Sequence, residues 1–564
     1  MATTPQTAPA ATPSYPNQVT GMWVLARSLG MVGIKDMYGL VGIPVTDLAY
    51  LCQEQGIRFV GFRHEQQAGM AAQTHGYLTG KPGVLLTVSS LGFLNGLTAT
   101  TNATVNCYPM IQISGSSQRE PIDLMQGTYE GLDQLAIAKP LVKAAFRVNN
   151  IEDIPTAVVR AYRAAISGRP GGVYLDVTTP CLGQIIDRDK AEALFYEPVD
   201  LCPAMPPAPT AVDRAMALIA SAKRPAFVIG KGAAYARVEN EMKELVDKTG
   251  IPYFAMSMAK GFLPDNAPLS ALSCRSTIME QADVVVLVGA RLNWLLSRGH
   301  GKWSKSVKFV QLDIEPGEID CNVPIAAPVI GDLKSTLDAM IAALPKYKMS
   351  MDPAWVPSLQ AETKVKNAKF AQRLEAAATA MPMTHWTALG AIKPILEGNP
   401  DIILVNEGAN TLDDTRDTVD MSLPRHRIDC ATWAIMGMGM GSAIGAAVAT
   451  GKTVVAGHAL AAAADSEGQA MLLAPTEVLA RQHMEGLGER LEGVGVRVAL
   501  LTGSTAAAER AAIVEHFAAG EVDVLIGTHA VIQDAVEFRN LALVITDEQH
   551  RFGVEQRKKL AAKG

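Results

Sequence analysis

Residues 83–115 read GVLLTVSSLGFLNGLTATTNATVNCYPMIQISG. Two β-rich apolar runs, GVLLTVSS (83–90) and YPMIQISG (108–115), each end in small residues, and a helical stretch separates them. Apolar runs that close on Gly/Ser turns and lead into helices point to a parallel α/β sheet. The same alternation runs from Val24 to Asp176, through DMYGLVGIP (36–44) on one side and GGVYLDV (171–177) on the other. Such sheets bind ligands at the carboxyl ends of their strands, so the loops after these runs are the places to look for function.

Further along, LCPAMPPAPT (201–210) is proline-rich and reads as an exposed linker. Four strand-to-loop units follow: RPAFVIGKGA (224–233), IPYFAMSMAKG (251–261), ADVVVLVGARLNW (282–294) and KFVQLDIEP (308–316). Their spacing predicts a doubly wound domain that closes near Leu344. The charged stretch 346–380 reads as a helical connector. A third α/β segment starts at DIILVNEGAN (401–410) and continues into WAIMGMGMGSAIGAA (433–447). No short-period repeat is visible.

The composition agrees with several globular domains. The 564 residues are 48% hydrophobic and 19% charged, with a formal net charge of −6. A mildly acidic chain argues against a general nucleic-acid binder. The seven cysteines (52, 107, 181, 202, 274, 321 and 430) form no C-x-x-C pair, which fits a reducing, cytoplasmic setting rather than a disulfide framework. MATTPQTAPAATPSYPN (1–17) has no basic start and no apolar core, so it reads as a disordered tail and not a signal peptide. The apolar stretch at 443–449 is too short to span a bilayer.

FRHEQQAGMAAQTHGYLTGKPGV (62–84), within this three-part plan, resembles the thiamine-diphosphate-dependent decarboxylase and acetolactate synthase superfamily. YGLVGIPVTDL (38–48), SSLGFLNGLT (89–98), SGSSQREPIDLMQGTYEGLDQ (114–134), GKGAAYA (230–236), MAKGFLPDN (258–266), GARLNW (289–294), IAAPVIGD (325–332) and NEGANTLDDTR (406–416) narrow the resemblance to the oxalyl-CoA decarboxylase family, over about residues 20–455. The implied organisation is a disordered tail (1–20), a pyrimidine-binding domain (21–190), a central ADP-type nucleotide-binding domain (205–345), a connector (346–380) and a partial diphosphate-binding domain (381–455). The implied reaction is decarboxylation of oxalyl-CoA to formyl-CoA and CO2, a step of oxalate catabolism, with thiamine diphosphate, Mg²⁺ and ADP as an activator. A homodimer or homotetramer is implied as well. A 2-hydroxyacyl-CoA lyase or acetolactate-synthase-like enzyme, a non-catalytic CoA- or ADP-binding protein, and a DNA helicase fragment are the alternatives.

The resemblance carries individual residues. Glu65 matches the carboxylate that hydrogen-bonds the cofactor's pyrimidine, the electron-sink chemistry itself being the cofactor's; a surface helix glutamate is the alternative. Tyr129 and Glu130 match a pair near the reacting carbon, the tyrosine to hydrogen-bond the oxalyl group and the glutamate to join a proton relay; a surface pair at a helix start is the alternative. Ile43 matches a residue packed at the pyrimidine, and Met436 the large apolar side chain beneath the cofactor; ordinary core packing is the alternative for both. Arg169, Lys231, Arg291, Asp313 and Leu333 match an ADP site: cations for phosphates, an aspartate for ribose hydroxyls and an aliphatic cover for adenine; a set of inter-domain ion pairs is the alternative. The loop GKGAAY (230–235) could add backbone N–H groups. CoA is implied near MAKGF and NEGANTLDDTR.

The resemblance stops at GKTVVA (451–456). The family holds its diphosphate through Mg²⁺ with an acidic GDS or GDG motif and a later asparagine. This chain instead reads TGKTVVAGHALAAAADSEGQAMLLAPTEVL (450–479), and Asp465 is no obvious substitute, so no metal ligand is assigned. MLLAPTEVLARQH (471–483), VALLTGS (498–504) and VDVLIGTHAVIQDAVEFRNLALVITDEQHRFGVEQR (522–557) resemble part of a RecG-like DNA helicase motor, a RecA-like α/β segment over 456–564. There Asp547 would hold Mg²⁺ through water and Glu548 would orient the attacking water. A Walker A loop needs G-x-x-x-x-G-K-[ST]; Gly451-Lys452-Thr453 is present, but the required upstream glycine is Ala446. Helicase origin is therefore expected without helicase activity, and a join within a short shared string accounts for the chimeric C-terminus.

Overall fold

The computed structural model of the protein describes residues 17–451, apart from 409, 430, 431 and 434, and residues 468–546, apart from 475, 494, 533–535, 537 and 538. Lys452, Thr453, Asp465, Asp547 and Glu548 lie outside the described residues, as does most of the expected N-terminal tail. The chain divides into two compact units, Met1–Ala449 and Thr450–Gly564.

In the first unit, β1 (Gln18–Thr20) pairs antiparallel with β8 (Ile185–Asp187). Residues 18–20, expected within a disordered tail, are thus a paired strand. Val19 is buried, and the Thr20 hydroxyl accepts the N–H of Trp23 at 3.3 Å, which caps the helix Gly21–Met31. Six parallel strands follow: β2 (Asp36–Gly39), β3 (Arg58–Gly61), β4 (Gly83–Thr87), β5 (Met110–Ser116), β6 (Ala144–Val148) and β7 (Gly172–Thr178), in the order β3-β2-β4-β5-β7-β6. β4, β5 and β7 are buried along their whole length, which is why they read as unbroken apolar runs. The helices Glu65–Thr79 and Leu91–Asn106 pack closely; a Cβ on Gly69 would lie 2.4 Å from that of Ala99.

A second parallel sheet has the order β10-β9-β11-β12-β13, with β9 (Pro225–Ile229), β10 (Tyr253–Ala255), β11 (Val284–Val288), β12 (Lys308–Asp313) and β13 (Ala327–Ile330). The chain leaves β9 toward β10 on one side and then crosses to β11 on the other. Such a reversal opens a crevice at the carboxyl ends of the two strands. Gly230 and Gly289 form its floor. A Cβ on Gly230 would lie 2.1 Å from the Gly289 carbonyl oxygen, and Gly289 itself has φ +55°.

The helix Trp355–Ala377 occupies most of the expected connector, anchored by buried Trp355, whose indole N–H donates to the Pro225 carbonyl at 3.0 Å. Beyond it lie two parallel strands, β14 (Leu404–Asn406) and β15 (Arg427–Asp429), and the helix Met438–Thr450. Side chains from earlier elements hold this segment. The Asn106 side-chain amide oxygen Oδ1 accepts the N–H groups of Thr432 (3.0 Å) and Trp433 (3.1 Å), and the Asn102 amide donates to the Trp433 carbonyl at 2.9 Å. Lys260 and Asp265 form a buried ion pair at 2.9 Å; Lys260 also donates to the Arg416 carbonyl at 2.9 Å, and Asp265 accepts the Met421 N–H at 2.8 Å. Ala446 sits inside the helix Met438–Thr450, and a Cβ on Gly445 would lie 2.3 Å from the Ala71 carbonyl oxygen. The upstream half of the apparent phosphate loop is therefore a packed helix.

The second unit contains four parallel strands, β16 (Gln469–Leu473), β17 (Val498–Leu501), β18 (Val524–Gly527) and β19 (Leu541–Thr546), in the order β17-β18-β16-β19. Met471, Leu473, Leu501, Phe517 and Leu525 form its core on one face.

Candidate functional site

Glu65 opens the helix Glu65–Thr79 and is buried. His64 precedes it, its Nδ1 accepting the Gln66 N–H at 3.2 Å. The Asn95 amide donates to Glu65 Oε2 at 3.0 Å. Oε1 faces Gly92, where a Cβ would lie only 3.2 Å away, and accepts no hydrogen bond among the described residues. A carboxylate fixed by one oxygen and open at the other suits an N–H donor approaching from a ligand. This is the fit that the pyrimidine end of thiamine diphosphate requires.

Glu130 reaches the start of the helix Leu91–Asn106, which carries Asn95. Its side chain accepts the hydroxyl of Ser89, and its backbone carbonyl accepts the hydroxyl of Ser90, the residue that precedes the helix Leu91–Asn106. Ser90 and Glu130 both hold left-handed backbone conformations, φ +47° and +49°. Strain of this kind collects at functional sites. Gln134 reinforces the turn: its amide donates to the Gly115 carbonyl (3.0 Å) and the Tyr174 hydroxyl (2.7 Å). Tyr129 lies in a turn, not at a helix start, and its side chain is exposed. The adjacent Glu130 charge raises its phenol further, so it stays a donor at neutral pH. Ile43 is also exposed, at 60%, which removes the core-packing alternative.

The residues matched to a nucleotide site surround one cavity of about 560 Å³ at the carboxyl ends of the second sheet. Arg169, Lys231, Arg291, Asp313 and Leu333 all line it. Met436 lines it as well and is 76% exposed, so it is no core methionine. Burial lowers the Lys231 ammonium to about 8, with Arg291 and Arg169 adding to the effect against Cys107 and Asp429. Lys231 lies 4.5 Å from the centre of the Tyr108 ring and makes no ion pair or side-chain hydrogen bond among the described residues. Asp313 is raised by burial and accepts the Gln311 amide and the Glu315 N–H, each at 3.1 Å. The expected contribution of GKGAAY amides is smaller than its sequence suggests. The N–H groups of Gly232 and Ala233 are already donated, to the carbonyls of Gly289 and Gly230, each at 3.1 Å.

Several residues around these sites are given no role by the sequence. Glu318 accepts from both Arg169 and Arg291, and Cys107 Sγ accepts from Arg169 at 2.9 Å. Glu407 accepts the N–H groups of Gly437 and Gly439, and the Gln67 amide donates to the Gly437 carbonyl at 2.6 Å, which secures the glycine run after Met436. Among the described residues no three His, Cys, Asp or Glu side chains gather as a metal site. The donor set that a Mg²⁺-diphosphate clamp requires is not found among them.

The sequence model of the thiamine pyrophosphate enzyme N-terminal TPP binding domain matches residues 19–137, and that of the thiamine pyrophosphate enzyme central domain matches 212–340. The DEAD/DEAH box helicase model matches 426–563. Oxalyl-CoA decarboxylase of Escherichia coli (strain K12) is 49% identical over 436 residues, 77% of this chain and 77% of its own. 2-Hydroxyacyl-CoA lyase of Oryza sativa subsp. japonica is 40% identical over 448 residues, 77% and 76% of the two chains. 2-Hydroxyacyl-CoA lyase 1 of Homo sapiens is 36% identical over 435 residues, 76% and 74%.

Proposed function

Because this chain belongs to the thiamine-diphosphate-dependent enzyme family of the oxalyl-CoA decarboxylases and 2-hydroxyacyl-CoA lyases, we propose that its body, residues 21–455, is built to decarboxylate oxalyl-CoA to formyl-CoA and CO2. The observation that carries this reading is Glu65: buried, held by Asn95 through one oxygen and free at the other. Thiamine diphosphate, when bound, supplies the electron sink for the carbanion left as CO2 departs. Glu65 holds the pyrimidine end, and Asn95 keeps the carboxylate from turning away. Glu130, held by Ser89 at its side chain and by Ser90 at its backbone carbonyl, joins a proton relay near the reacting carbon. The Tyr129 hydroxyl donates to the oxalyl group, Ile43 packs against the pyrimidine, and Met436 supports the cofactor from below. ADP occupies the cavity, with its phosphates toward Lys231, Arg169 and Arg291, its ribose on Asp313 and its adenine against Leu333. CoA lies near MAKGF and NEGANTLDDTR. Exposed Ile43, Tyr129 and Met436 suit a homodimer or homotetramer in which a second subunit covers them. A cytoplasmic location follows from the same reading.

The chain turns over slowly or not at all, since its sequence after Gly451 carries no acidic GDS or GDG motif to hold Mg²⁺. Assay of purified protein with thiamine diphosphate, Mg²⁺ and oxalyl-CoA, with a 2-hydroxyacyl-CoA as competitor, tests both statements. A rate matching the bacterial decarboxylases removes the impairment; preferred cleavage of the 2-hydroxyacyl-CoA removes the substrate assignment. Binding of ADP without thiamine diphosphate favours the second reading, a nucleotide-binding protein without catalysis, which the complete cavity supports. Sequencing source DNA across codons 430–480 tests whether a single molecule spans the join.

A further inference from the structure

The three cations assigned to the phosphates are not equivalent. Lys231 makes no ion pair among the described residues, whereas Arg169 and Arg291 both donate to one carboxylate oxygen, Oε1 of Glu318, the second at 3.2 Å. Glu318 ends the short turn Pro316–Glu318 between β12 and β13, and its side chain is only 16% exposed. Its two partners come from different elements, Arg169 from the loop before β7 and Arg291 from the loop after β11. Two guanidinium groups converging on a single oxygen is the arrangement by which arginines take a phosphate.

Resting on the nucleotide reading above, we propose that Glu318 occupies the place a ligand phosphate takes between Arg169 and Arg291, and that this selects diphosphates over monophosphates. A single phosphate on Lys231 leaves the arginines with Glu318. A single phosphate on the arginines must first displace a carboxylate that is already paired, and it leaves Lys231 bare. A diphosphate engages both sets, and its second phosphate offsets the displacement. Glu318 is therefore a specificity-determining residue: it lowers the affinity of every anion but penalises the shorter ones more.

The test is titration calorimetry of the full chain with ADP, AMP and inorganic pyrophosphate, on the native protein, Glu318→Gln and Glu318→Asp. The native protein is expected to bind ADP about 30-fold or more tighter than AMP. Glu318→Gln keeps the shape and removes the charge; AMP should tighten about 10-fold, ADP by less, and the ratio should narrow to under about 10. Glu318→Asp, which keeps the charge on a shorter stem, should fall between. Weaker binding of all three ligands by Glu318→Gln makes Glu318 an organiser of the arginines and overturns the proposal, as does an unchanged ratio. Pyrophosphate that tightens in Glu318→Gln while neither protein binds ADP retires the nucleotide reading and leaves the displacement standing. If native and variant proteins bind none of the three, both fall. Circular dichroism of each variant verifies the fold.

Discussion

ADP binding at alkaline pH should draw a proton from solution, and Lys231 should be where it goes. The ammonium, ordinarily near 10.5, is lowered to about 8 by burial and by the charges of Arg291 and Arg169. At pH 8.5 roughly a quarter of the free protein carries the proton there. An anionic phosphate beside it reverses the cause: opposite charge within hydrogen-bonding distance raises a lysine by about 1–3 units, and a rise of about 2 gives nearly full protonation. Binding should then take up about 0.7 proton per ADP at pH 8.5, and about 0.1 at pH 7. Calorimetry in two buffers of different ionisation enthalpy measures this directly. Lys231→Gln should abolish the uptake and weaken ADP by roughly 10- to 100-fold at pH 7, the value of a charge-assisted hydrogen bond. The linkage to folding has the opposite sense. A lysine lowered in the folded state binds fewer protons there than in the unfolded chain, so stability rises with pH between about 8 and 10.5. Below that window the buried charge costs up to about 3 kcal/mol. Lys231→Gln should therefore bind worse and yet resist urea better at pH 7. ADP binding with no proton uptake at pH 8.5, or the same uptake in Lys231→Gln, would refute the reasoning.

Grafting the matching C-terminal segment of the E. coli relative after Gly451 should restore oxalyl-CoA turnover, and Glu65→Gln in that graft should lower it by more than about 100-fold, since a neutral amide no longer offers the pyrimidine a charged acceptor; a graft that keeps its activity through Glu65→Gln contradicts the role given to Glu65. Asp265→Ala leaves the Lys260 ammonium buried without its partner and should destabilise the first unit by about 3–5 kcal/mol in urea unfolding; a loss under about 1 kcal/mol means water reaches the site. Gly289→Ala places a Cβ 2.5 Å from the Ala233 nitrogen at φ +55°, and should both lower the urea midpoint and abolish ADP binding; unaltered ADP affinity denies the glycine floor its part. ATP hydrolysis should not respond to added DNA, because Ala446 and its neighbours form a packed helix in place of a phosphate loop; DNA-stimulated hydrolysis above background is the contrary result.

Legibility in the sequence followed burial. β4, β5, β7, β9 and β11 are covered on both faces and read as plain apolar runs, whereas β3, RFVG, is a half-exposed edge strand of four residues with nothing to distinguish it from a loop. β13 carries Pro328 and so went unread as a strand; it is an edge strand, where a missing N–H is tolerated. Arg169, Lys231, Arg291, Asp313 and Leu333 are scattered over more than 160 positions, and only resemblance grouped them; the sheet reversal at β9 and β11 is what gathers them around one cavity. Glu318 escaped because a lone glutamate in PGE has no pattern; its meaning lies in two arginines that fold next to it from elsewhere. The left-handed turns at Ser90 and Glu130 were invisible for a related reason: neither residue type announces them, and the surrounding hydrogen bonds impose them.

The floor of the cavity beside the second sheet is main chain, Gly230 against Gly289. Peptide groups are the same in every sequence, so the outline of this hollow survives substitution of almost any side chain around it, provided the two glycines stay. Chemistry and shape are thus inherited separately: the rim can trade arginine for another residue and accept a different anion, while the space itself persists. A chain whose catalytic end has been replaced could keep such a hollow intact, and drift toward a new ligand without rebuilding the fold beneath it.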